Sequence, residues 1–215
     1  MKFAPAKNRI CALVSGGLDS CVMLAELAKR YRRVYPVFVR QGLFWEQAEL
    51  RALRRFLRAA AIKHEPLTIL SVPAFDLYGN HWSVNAKRVP SAKTRDEAVY
   101  LPGRNLMLLS KAAVFCALHR IPVIAVGTLG HNPFPDATPK FFRDFGRAAG
   151  VRVIAPFRQH TKAQVIRRGR HLPLQLSFSC IAPKRGLHCG RCNKCAERRR
   201  AFTRAGIADV KRHMA

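Results

Sequence analysis

The feature that most constrains the fold is a glycine- and serine-rich hexapeptide at residues 15–20, directly after the apolar run at residues 10–14. It reads Ser-Gly-Gly-Leu-Asp-Ser, and the apolar-periodic segment that follows it is typical of a helix. Glycines let backbone N–H groups approach an anion closely, and a helix N-terminus adds partial positive charge. The sequence therefore predicts a buried strand, an anion-binding turn and a helix, in that order.

Three side chains of this hexapeptide carry groups that suit a nucleotide phosphate. The hydroxyls of Ser15 and Ser20 can donate hydrogen bonds to phosphate oxygens, and Asp19 can hold a magnesium ion or cap the helix. An ordinary strand–turn–helix with a serine cap would account for one glycine and one serine, but not for two of each around an aspartate. The loop lacks the Gly-Lys-Ser/Thr ending of a Walker A motif and the spacing of the G-x-G-x-x-G fingerprint.

The hexapeptide resembles the SGGxDS pyrophosphate loop of the N-type ATP pyrophosphatases, which cut ATP between its α and β phosphates. The resemblance implies that the chain binds ATP together with Mg²⁺. The ATP-binding residues would be Ser15, Gly16, Gly17, Leu18, Asp19 and Ser20. Alone, the loop indicates cleavage of ATP to AMP and pyrophosphate and leaves the second substrate open.

Strand-like and helix-like segments alternate along the chain. The strand runs lie at residues 10–14, 34–39, about 63–69, 122–126 and 151–155, and the helical patterns lie at 19–30, 45–60, 105–119, 139–149 and 161–169. Continuous apolar strands separated by helices are typical of a parallel sheet that is covered on both faces. The sequence therefore predicts an α/β fold, a Rossmann-like, doubly wound parallel sheet with a C-terminal zinc-binding knuckle.

We expect an ATP-binding domain over residues 1–175 and a C-terminal metal-binding segment over residues 176–215. In doubly wound sheets ligands bind at the carboxyl ends of the strands, where the loops at residues 40–46 and 127–136 should join the phosphate loop. The stretch at about 71–101 has little periodicity, and a loop of that length in a compact domain usually carries function or is disordered. Its aromatic and histidine side chains favour an insertion that faces the substrate.

The chain of 215 residues carries 39 basic and 12 acidic residues, a net charge of +27. Such a field attracts polyanions, so RNA is a candidate non-specific partner, although a solvated basic surface is the simpler interpretation. A basic run at residues 194–200 is expected to be the solvated face of a terminal helix or an RNA contact. No apolar run approaches the roughly 20 residues of a membrane span, and residues 1–7 show no secretory signal, so we expect a cytoplasmic protein.

Four of the seven cysteines lie close together near the C-terminus, with the spacing C-x8-C-x2-C-x2-C. They are Cys180, Cys189, Cys192 and Cys195. Four thiolates at this spacing can surround one tetrahedral ion, and a reduced, cytoplasmic chain does not favour disulfides. We therefore predict a structural zinc site, with iron–sulfur ligation as the alternative, because C-x2-C-x2-C also occurs there. Cys11, Cys21 and Cys116 lie on apolar faces and are expected to be packing residues.

Three further motifs follow the phosphate loop along the chain. They are Leu-Pro-Gly-Arg-Asn at residues 101–105, Phe-Pro-Asp at residues 134–136, and the four-cysteine pattern. Together with the phosphate loop they look like the 7-cyano-7-deazaguanine synthases of queuosine biosynthesis, over about residues 9–204. The Pro-Gly-Arg-Asn segment and the cysteine spacing distinguish that family among the pyrophosphatases.

The resemblance implies an ATP-dependent, zinc-bearing ligase that converts 7-carboxy-7-deazaguanine and ammonia to a nitrile. The carboxylate is adenylated, ammonia displaces AMP to give an amide, and a second adenylation drives dehydration. Such chemistry needs phosphate binding, magnesium and charge stabilisation at the α-phosphate more than a protein nucleophile. The resemblance also suggests a homodimer.

By matching position, the resemblance implies catalytic roles for Asp19, Arg104 and Lys162 and substrate contacts for Asn105 and Asp136. Arg104 and Asn105 would begin a helix at the site and contact phosphate or the activated carboxylate, and Lys162 would lie near phosphate. Asp136 would accept two N–H donors from the guanine-like edge. The competing interpretations are a surface charge for Arg104, an exposed helical lysine for Lys162 and a turn-stabilising carboxylate for Asp136.

Two segments depart from the family pattern. After the second strand, where the family carries Asp-Tyr-Gly-Gln, residues 40–46 read Arg-Gln-Gly-Leu-Phe-Trp-Glu. Phe-Pro-Asp-Ala-Thr stands at residues 134–138 in place of Tyr-Pro-Asp-Cys-Arg. Both segments are expected to line the substrate pocket, so a related ligase with another carboxylate substrate is one alternative. A second is a tRNA-modifying adenylating enzyme such as a thiolase, which would need Cys21 to carry sulfur. A third is a zinc-bearing nucleic-acid-binding module without catalysis.

Overall fold

The structure is a computed structural model that describes residues 8–130 and 132–210. Expectations that fall on residues 1–7, on His131 and on residues 211–215 lie outside the described residues. They include the lack of a secretory signal and the outer ends of the two segments predicted from the sequence. Within the described part of the chain, no helix combines the length and the apolar character that crossing a membrane requires.

The strands and helices predicted from the sequence are present, and the insertion at about 71–101 adds two short helices that were not predicted. The strands are β1 (Arg9–Leu13), β2 (Arg33–Arg40), β3 (Thr68–Ser71), β4 (Val123–Ala125) and β5 (Arg152–Ile154). The helices are α1 (Leu18–Ala28), α2 (Glu46–Ala59), α3 (Phe75–Tyr78), α4 (Trp82–Asn85), α5 (Arg104–Leu118), α6 (Pro139–Ala148), α7 (Lys162–Arg168) and α8 (Asn193–Ala205). One boundary was wrong: β3 begins at Thr68 and not near residue 63, because Pro66 has no N–H to donate to a strand ladder.

The five strands form one parallel sheet in the order β3-β2-β1-β4-β5. From β1 the chain moves outward to β2 and β3, and it then returns to add β4 and β5 on the other side of β1. This reversal makes the carboxyl ends of β1 and β4 the topological switch point, where doubly wound sheets bind their ligands. The predicted α/β, doubly wound fold is confirmed.

Apolar side chains on the two faces of the sheet form separate cores. One core joins the sheet to α1, α7 and α8, with Val22, Ile166 and Phe202 among its members. The other joins the sheet to α5 and α6, with Leu109 and Phe142 among its members. Because the central strands are buried on both faces, their sequences show continuous rather than alternating apolar runs. The cysteines expected to be packing residues are also buried.

A third apolar cluster joins the start of α2, the end of the 71–101 insertion and the cysteine-bearing segment. In it, Trp45 stacks on Trp82 with 5.7 Å between the ring centroids. Phe178 donates its backbone N–H to the carbonyl oxygen of Gly16 at 2.7 Å, so the C-terminal segment supports the phosphate loop directly. The boundary at residue 175 stays a prediction, because these contacts join both sides of it.

Candidate active site and metal centre

The phosphate loop turns between β1 and α1 at the switch point of the sheet. The Ser15 hydroxyl accepts a hydrogen bond from the Gly17 N–H at 3.2 Å, and the Ser20 hydroxyl donates to the Gly17 carbonyl at 3.0 Å. Gly16 has a φ of +75°, in the left-handed region that favours glycine. No described side chain caps α1, so the N–H groups of its first turn remain available for an anion.

Gly16→Ala should destabilise the protein more than an alanine at an open glycine would. A Cβ at Gly16 would lie 2.6 Å from the Glu49 carbonyl oxygen and 3.1 Å from the Leu53 Cβ, in addition to the strained φ. Gly150 is the matched control, because its φ is +65° but no atom lies within 4 Å of its Cβ position. We expect losses of about 3 kcal/mol and about 1 kcal/mol in the free energy of unfolding, respectively. Urea denaturation measures both, and equal losses would contradict the close approach at Gly16.

Four charged side chains form a chain of ion pairs beside the phosphate loop. The Lys162 Nζ lies 3.3 Å from the Asp19 Oδ2 and 2.6 Å from the Glu197 Oε1. The Lys194 Nζ lies 2.9 Å from the other oxygen, Oε2, of Glu197. Lys162 is held at the start of α7 by a capping box between Thr161 and Gln164. The interpretation of Lys162 as an exposed helical lysine is therefore not what the structure shows.

Burial and charge act in opposite directions on these groups. Burial raises the pKa of Asp19, and Lys162 opposes that shift only in part, so the pKa stays above its usual value. Burial lowers the pKa of Lys162, but Asp19 and Glu197 outweigh burial and raise the pKa, so the ammonium form persists. The Asp19 Oδ1 is buried and has no hydrogen-bond partner among the described residues. This free carboxylate oxygen beside an anion-binding loop fits a magnesium ligand.

The loop after β2 is fixed by a carboxylate. Glu46, in the first turn of α2, accepts hydrogen bonds from the backbone N–H groups of Gln41 and Gly42, the latter at 3.0 Å. The Gln41 side chain is fully buried, and its Oε1 accepts a hydrogen bond from the Arg104 Nε at 3.2 Å. The Arg104 guanidinium also lies over the Trp45 ring, 5.8 Å from its centroid. These contacts place Arg104 at the site instead of leaving it as a surface charge.

Glu49 is the second carboxylate on this part of α2, and it differs from Glu46. Its side chain is buried but accepts no hydrogen bond from any described residue. Burial raises the pKa of Glu49 to about 8, with Glu46 adding to the rise and Arg104 opposing it. Near neutral pH, the carboxyl group of Glu49 therefore exchanges readily between its acid and its carboxylate forms.

Glu49→Gln should remove a pH-dependent loss of stability. A carboxyl whose pKa is near 4.5 unfolded and about 8 folded binds more protons in the folded state between these values, so stability falls as pH rises through that window. The variant should gain free energy of unfolding over the wild type, from nothing near pH 4 to about 4 kcal/mol near pH 8. Thermal unfolding at several pH values measures the difference. A difference that does not change with pH would contradict the raised pKa.

Asn105 and Asp136 hold each other at the start of α5. The Asp136 carboxylate accepts hydrogen bonds from the backbone N–H of Asn105 at 2.9 Å and from its side-chain amide at 3.2 Å. The amide also donates to the Asp136 carbonyl at 3.1 Å. These contacts agree with the turn-stabilising role considered for Asp136. The contact of Asp136 with a base edge stays a prediction.

One cavity of about 260 Å³ joins the phosphate loop to the starts of α2 and α5. It is lined by Ser15, Gly17, Asp19, Ser20, Glu46, Glu49, Arg104, Asn105 and Asp136. The end of the insertion, including Tyr100 and Leu101, forms another wall. A smaller adjoining cavity of about 110 Å³ contains Lys162, Lys194 and Glu197 on the far side of Asp19. The structure thus brings the phosphate loop and the predicted catalytic and substrate-contacting residues to two adjoining cavities.

The four clustered cysteines are placed to hold one ion. Their sulfur atoms all lie within 4.8 Å of one another, and the Sγ atoms of Cys180 and Cys192 are 3.9 Å apart. A tetrahedral ion with metal–sulfur bonds of about 2.3 Å places its ligands roughly 3.8 Å apart, so the residues fit a metal. The N–H groups of Ala182 and Cys189 point at the Cys180 Sγ, at 3.4 and 3.3 Å. Backbone donors of this kind orient a thiolate ligand.

Several residues of the site were missed from the sequence. Glu49 and Glu197 received no role, and Lys194 was interpreted only as part of the basic run at residues 194–200. The buried His188, whose Nδ1 lies 3.8 Å from the Cys195 Sγ, was not considered. Glu46 and Glu49 lie three positions apart and therefore on one face of α2, which was a readable signal. Glu197 gave no such signal, because its partner Lys162 is 35 residues away in the chain.

Comparison with known proteins places this arrangement in a family. A family model described as "Queuosine biosynthesis protein QueC" matches residues 9–206. The chain is 33% identical to the 7-cyano-7-deazaguanine synthase 1 of Desulfitobacterium hafniense, over 91% of this chain and 92% of that protein. It is 31% identical to the 7-cyano-7-deazaguanine synthase of Methanothermobacter thermautotrophicus, over 94% and 97% respectively.

A solved structure shares the fold at much lower identity. The U34-tRNA thiolase NcsA from Methanococcus maripaludis, determined with its [4Fe-4S] cluster, is 13% identical with a TM-score of 0.53. The match covers 91% of this chain and 65% of that one. At this identity the likeness concerns the fold alone.

Proposed function

The chain belongs to the family of the queuosine biosynthesis protein QueC, and from this membership we propose that it makes 7-cyano-7-deazaguanine from 7-carboxy-7-deazaguanine and ammonia. The reaction consumes ATP and releases AMP and pyrophosphate at each adenylation. The observation that carries the proposal is the cavity of about 260 Å³ that joins the phosphate loop to Arg104 and Glu49. A nucleotide phosphate and an activated carboxylate can meet in such a cavity.

The phosphate loop binds the pyrophosphate end of ATP through its N–H groups and the hydroxyls of Ser15 and Ser20. Asp19 would hold Mg²⁺ through its free Oδ1, and the ion supplies charge neutralisation at the phosphates when it is bound. Lys162 adds a fixed ammonium group on the same side. Arg104, oriented by Gln41 and Trp45, places its guanidinium where charge develops on the α-phosphate or on the carboxylate.

Ammonia attack requires a proton acceptor, because ammonia is mostly protonated at neutral pH. The ammonium ion loses one proton, ammonia attacks the acyl carbon, AMP leaves, and the nitrogen loses a second proton to give the amide. Glu49 accepts a proton in this sequence, since it is a cavity-lining carboxylate with no hydrogen-bond partner among the described residues. The matching of its pKa to neutral pH favours such a transfer.

We propose zinc as the ion in the cysteine cluster and a homodimer as the assembly. Four cysteine ligands leave no open position, so the ion is structural. Exposed Leu106, Val114 and Leu118 on one stripe of α5 support self-association. The net charge of +27 supports non-specific RNA binding beside the small-molecule reaction.

A ligase that activates another carboxylate is the second candidate. It is favoured by the loop after β2, where Gln41 and Glu46 anchor a segment that departs from the family pattern. A tRNA thiolase is not supported, because Cys21, the cysteine it would need as a sulfur carrier, is fully buried.

One incubation tests the proposal. Purified protein with ATP, Mg²⁺, ammonium and 7-carboxy-7-deazaguanine should yield the nitrile and two AMP per nitrile, read by mass spectrometry. AMP formation with a different carboxylate and none with the deazaguanine acid would favour the second candidate. Absence of AMP with every carboxylate, in protein that is folded and metal-loaded, would rule out both.

A further inference from the structure

The geometry points to Lys194 as a second phosphate-binding lysine, which the cysteine segment contributes to the ATP site. This inference rests on the proposed use of ATP but not on the identity of the carboxylate. It gives the metal cluster a role at the active site, because Lys194 stands between two of its ligands, Cys192 and Cys195.

Glu197 connects Lys194 to Lys162 and so to the phosphate loop. The carboxylate of Glu197 contacts the Lys194 Nζ at 2.9 Å and the Lys162 Nζ at 2.6 Å, each with a different oxygen. One carboxylate thus holds two ammonium groups side by side. Lys162 continues to Asp19 in the phosphate loop at 3.3 Å, so the two lysines and the loop face the same small cavity.

The backbone around Lys194 is held on both sides. Cys192 is the N-cap residue of α8, and its sulfur packs against that of Cys180. Asn193 donates its backbone N–H to the Pro90 carbonyl at 2.9 Å and its side-chain amide to the Thr94 carbonyl at 2.9 Å. Because these contacts fix the start of α8, the side chain of Lys194 projects from a rigid position.

A polyphosphate would enter the small cavity together with Mg²⁺, because the cavity holds more carboxylates than ammonium groups. The lysines Lys162 and Lys194 face three carboxylates, Asp19, Glu197 and Asp96. Asp19 suits Mg²⁺, and Glu197 orients the lysines, so the ammonium groups remain to neutralise the β- and γ-phosphate oxygens. The Lys194 side chain is 26% exposed and lines the small cavity, which leaves it accessible to a ligand there.

The experiment compares Lys194→Ala with Arg191→Ala. Arg191 is an exposed residue that also lies between two cluster cysteines, and its replacement removes the same charge from the same knuckle. Isothermal titration calorimetry with Mg²⁺ and a non-hydrolysable ATP analogue measures the affinity of each variant. Lys194→Ala should bind the analogue at least about tenfold more weakly than the wild type. Arg191→Ala should bind the analogue as the wild type does. Inorganic pyrophosphate should show the same pattern.

Two further measurements separate phosphate binding from a structural role. The metal content per chain should equal that of the wild type in both variants. Lys194→Arg, which keeps the charge, should retain most of the affinity, and equal losses for the arginine and alanine variants would overturn the assignment. Unchanged affinity in Lys194→Ala would also overturn it while leaving the proposed function intact. A wild-type protein that binds no Mg²⁺–ATP analogue would overturn the proposed function as well.

Discussion

Asp19→Asn is expected to lower the rate of adenylation by about a hundredfold or more, the size of effect seen when one preorganised group is lost from an electrostatic site. The substitution keeps the shape of the side chain but removes the charge that would hold Mg²⁺ and that pairs with Lys162. The buried Oδ1, which has no partner among the described residues, would no longer belong to a carboxylate. ATP–pyrophosphate exchange with the carboxylate substrate measures the rate without requiring ammonia.

The folded state should tolerate Asp19→Asn. Lys162 keeps its contact with Glu197 at 2.6 Å, so no buried ammonium group is left without a partner. Asp144→Asn is the matched control, because Asp144 also pairs with a lysine, Lys140, but on the exposed surface of α6. Such exposed pairs contribute little to stability, and exchange should be unchanged. Exchange in Asp19→Asn within a few-fold of the wild-type rate would remove Asp19 from the proposed magnesium site.

Features that depend on short stretches of sequence were predictable. Continuous apolar runs predicted the parallel strands, and the hexapeptide at residues 15–20 predicted the phosphate loop, because both depend on residues that are neighbours in the chain. The four cysteines were also readable, since three of them lie within seven residues that end in the first turn of α8. For these features, local chemistry already excludes most alternative structures.

Features that depend on distant partners were not predictable. Arg198 lies in the basic run that was expected to be solvated, yet it is 1% exposed and pairs with Asp209 at 2.6 Å. Its guanidinium also donates to the Ser177 hydroxyl at 2.8 Å and lies over the Phe202 ring. Position 198 shares a helix face with 195 and 202, so helical spacing indicated burial where composition indicated solvent. The interpretation of the whole run as a solvated face was wrong at this residue.

Dependence on distant partners also limits what the sequence alone predicts about the active site. Glu49 gains its raised pKa only because the fold buries it and brings Glu46 near it, against the opposing charge of Arg104. Lys162 could be placed near phosphate only by resemblance, whereas the carboxylate that orients it, Glu197, comes from the last helix. The sequence identified residues that can do chemistry, and the tertiary contacts determine which of them face one another.

Cys192→Ser is expected to have the largest effect on the folded state, because Cys192 connects the metal cluster to the wall of the active site. Its sulfur is one of the four placed to hold the ion, and its backbone pairs with Ser91 across an isolated bridge. The next residue, Asn193, binds the insertion through Pro90 and Thr94. A few residues further along the insertion, Tyr100 and Leu101 line the main cavity. Loss of the ion should therefore loosen both the start of α8 and residues 88–101.

The variant should contain no metal and should unfold about 10 °C or more below the wild type, since a structural ion contributes its binding free energy to folding. Hydrogen exchange should accelerate at residues 88–101 and at the start of α8, while β1 and β4 keep their protection. Cys116→Ser is the matched control: it places a hydroxyl in the second core, at a cost of about 1–3 kcal/mol, but leaves the cluster intact. If Cys192→Ser kept its metal, or lost the metal without faster exchange at residues 88–101, the cluster would not support the active-site wall.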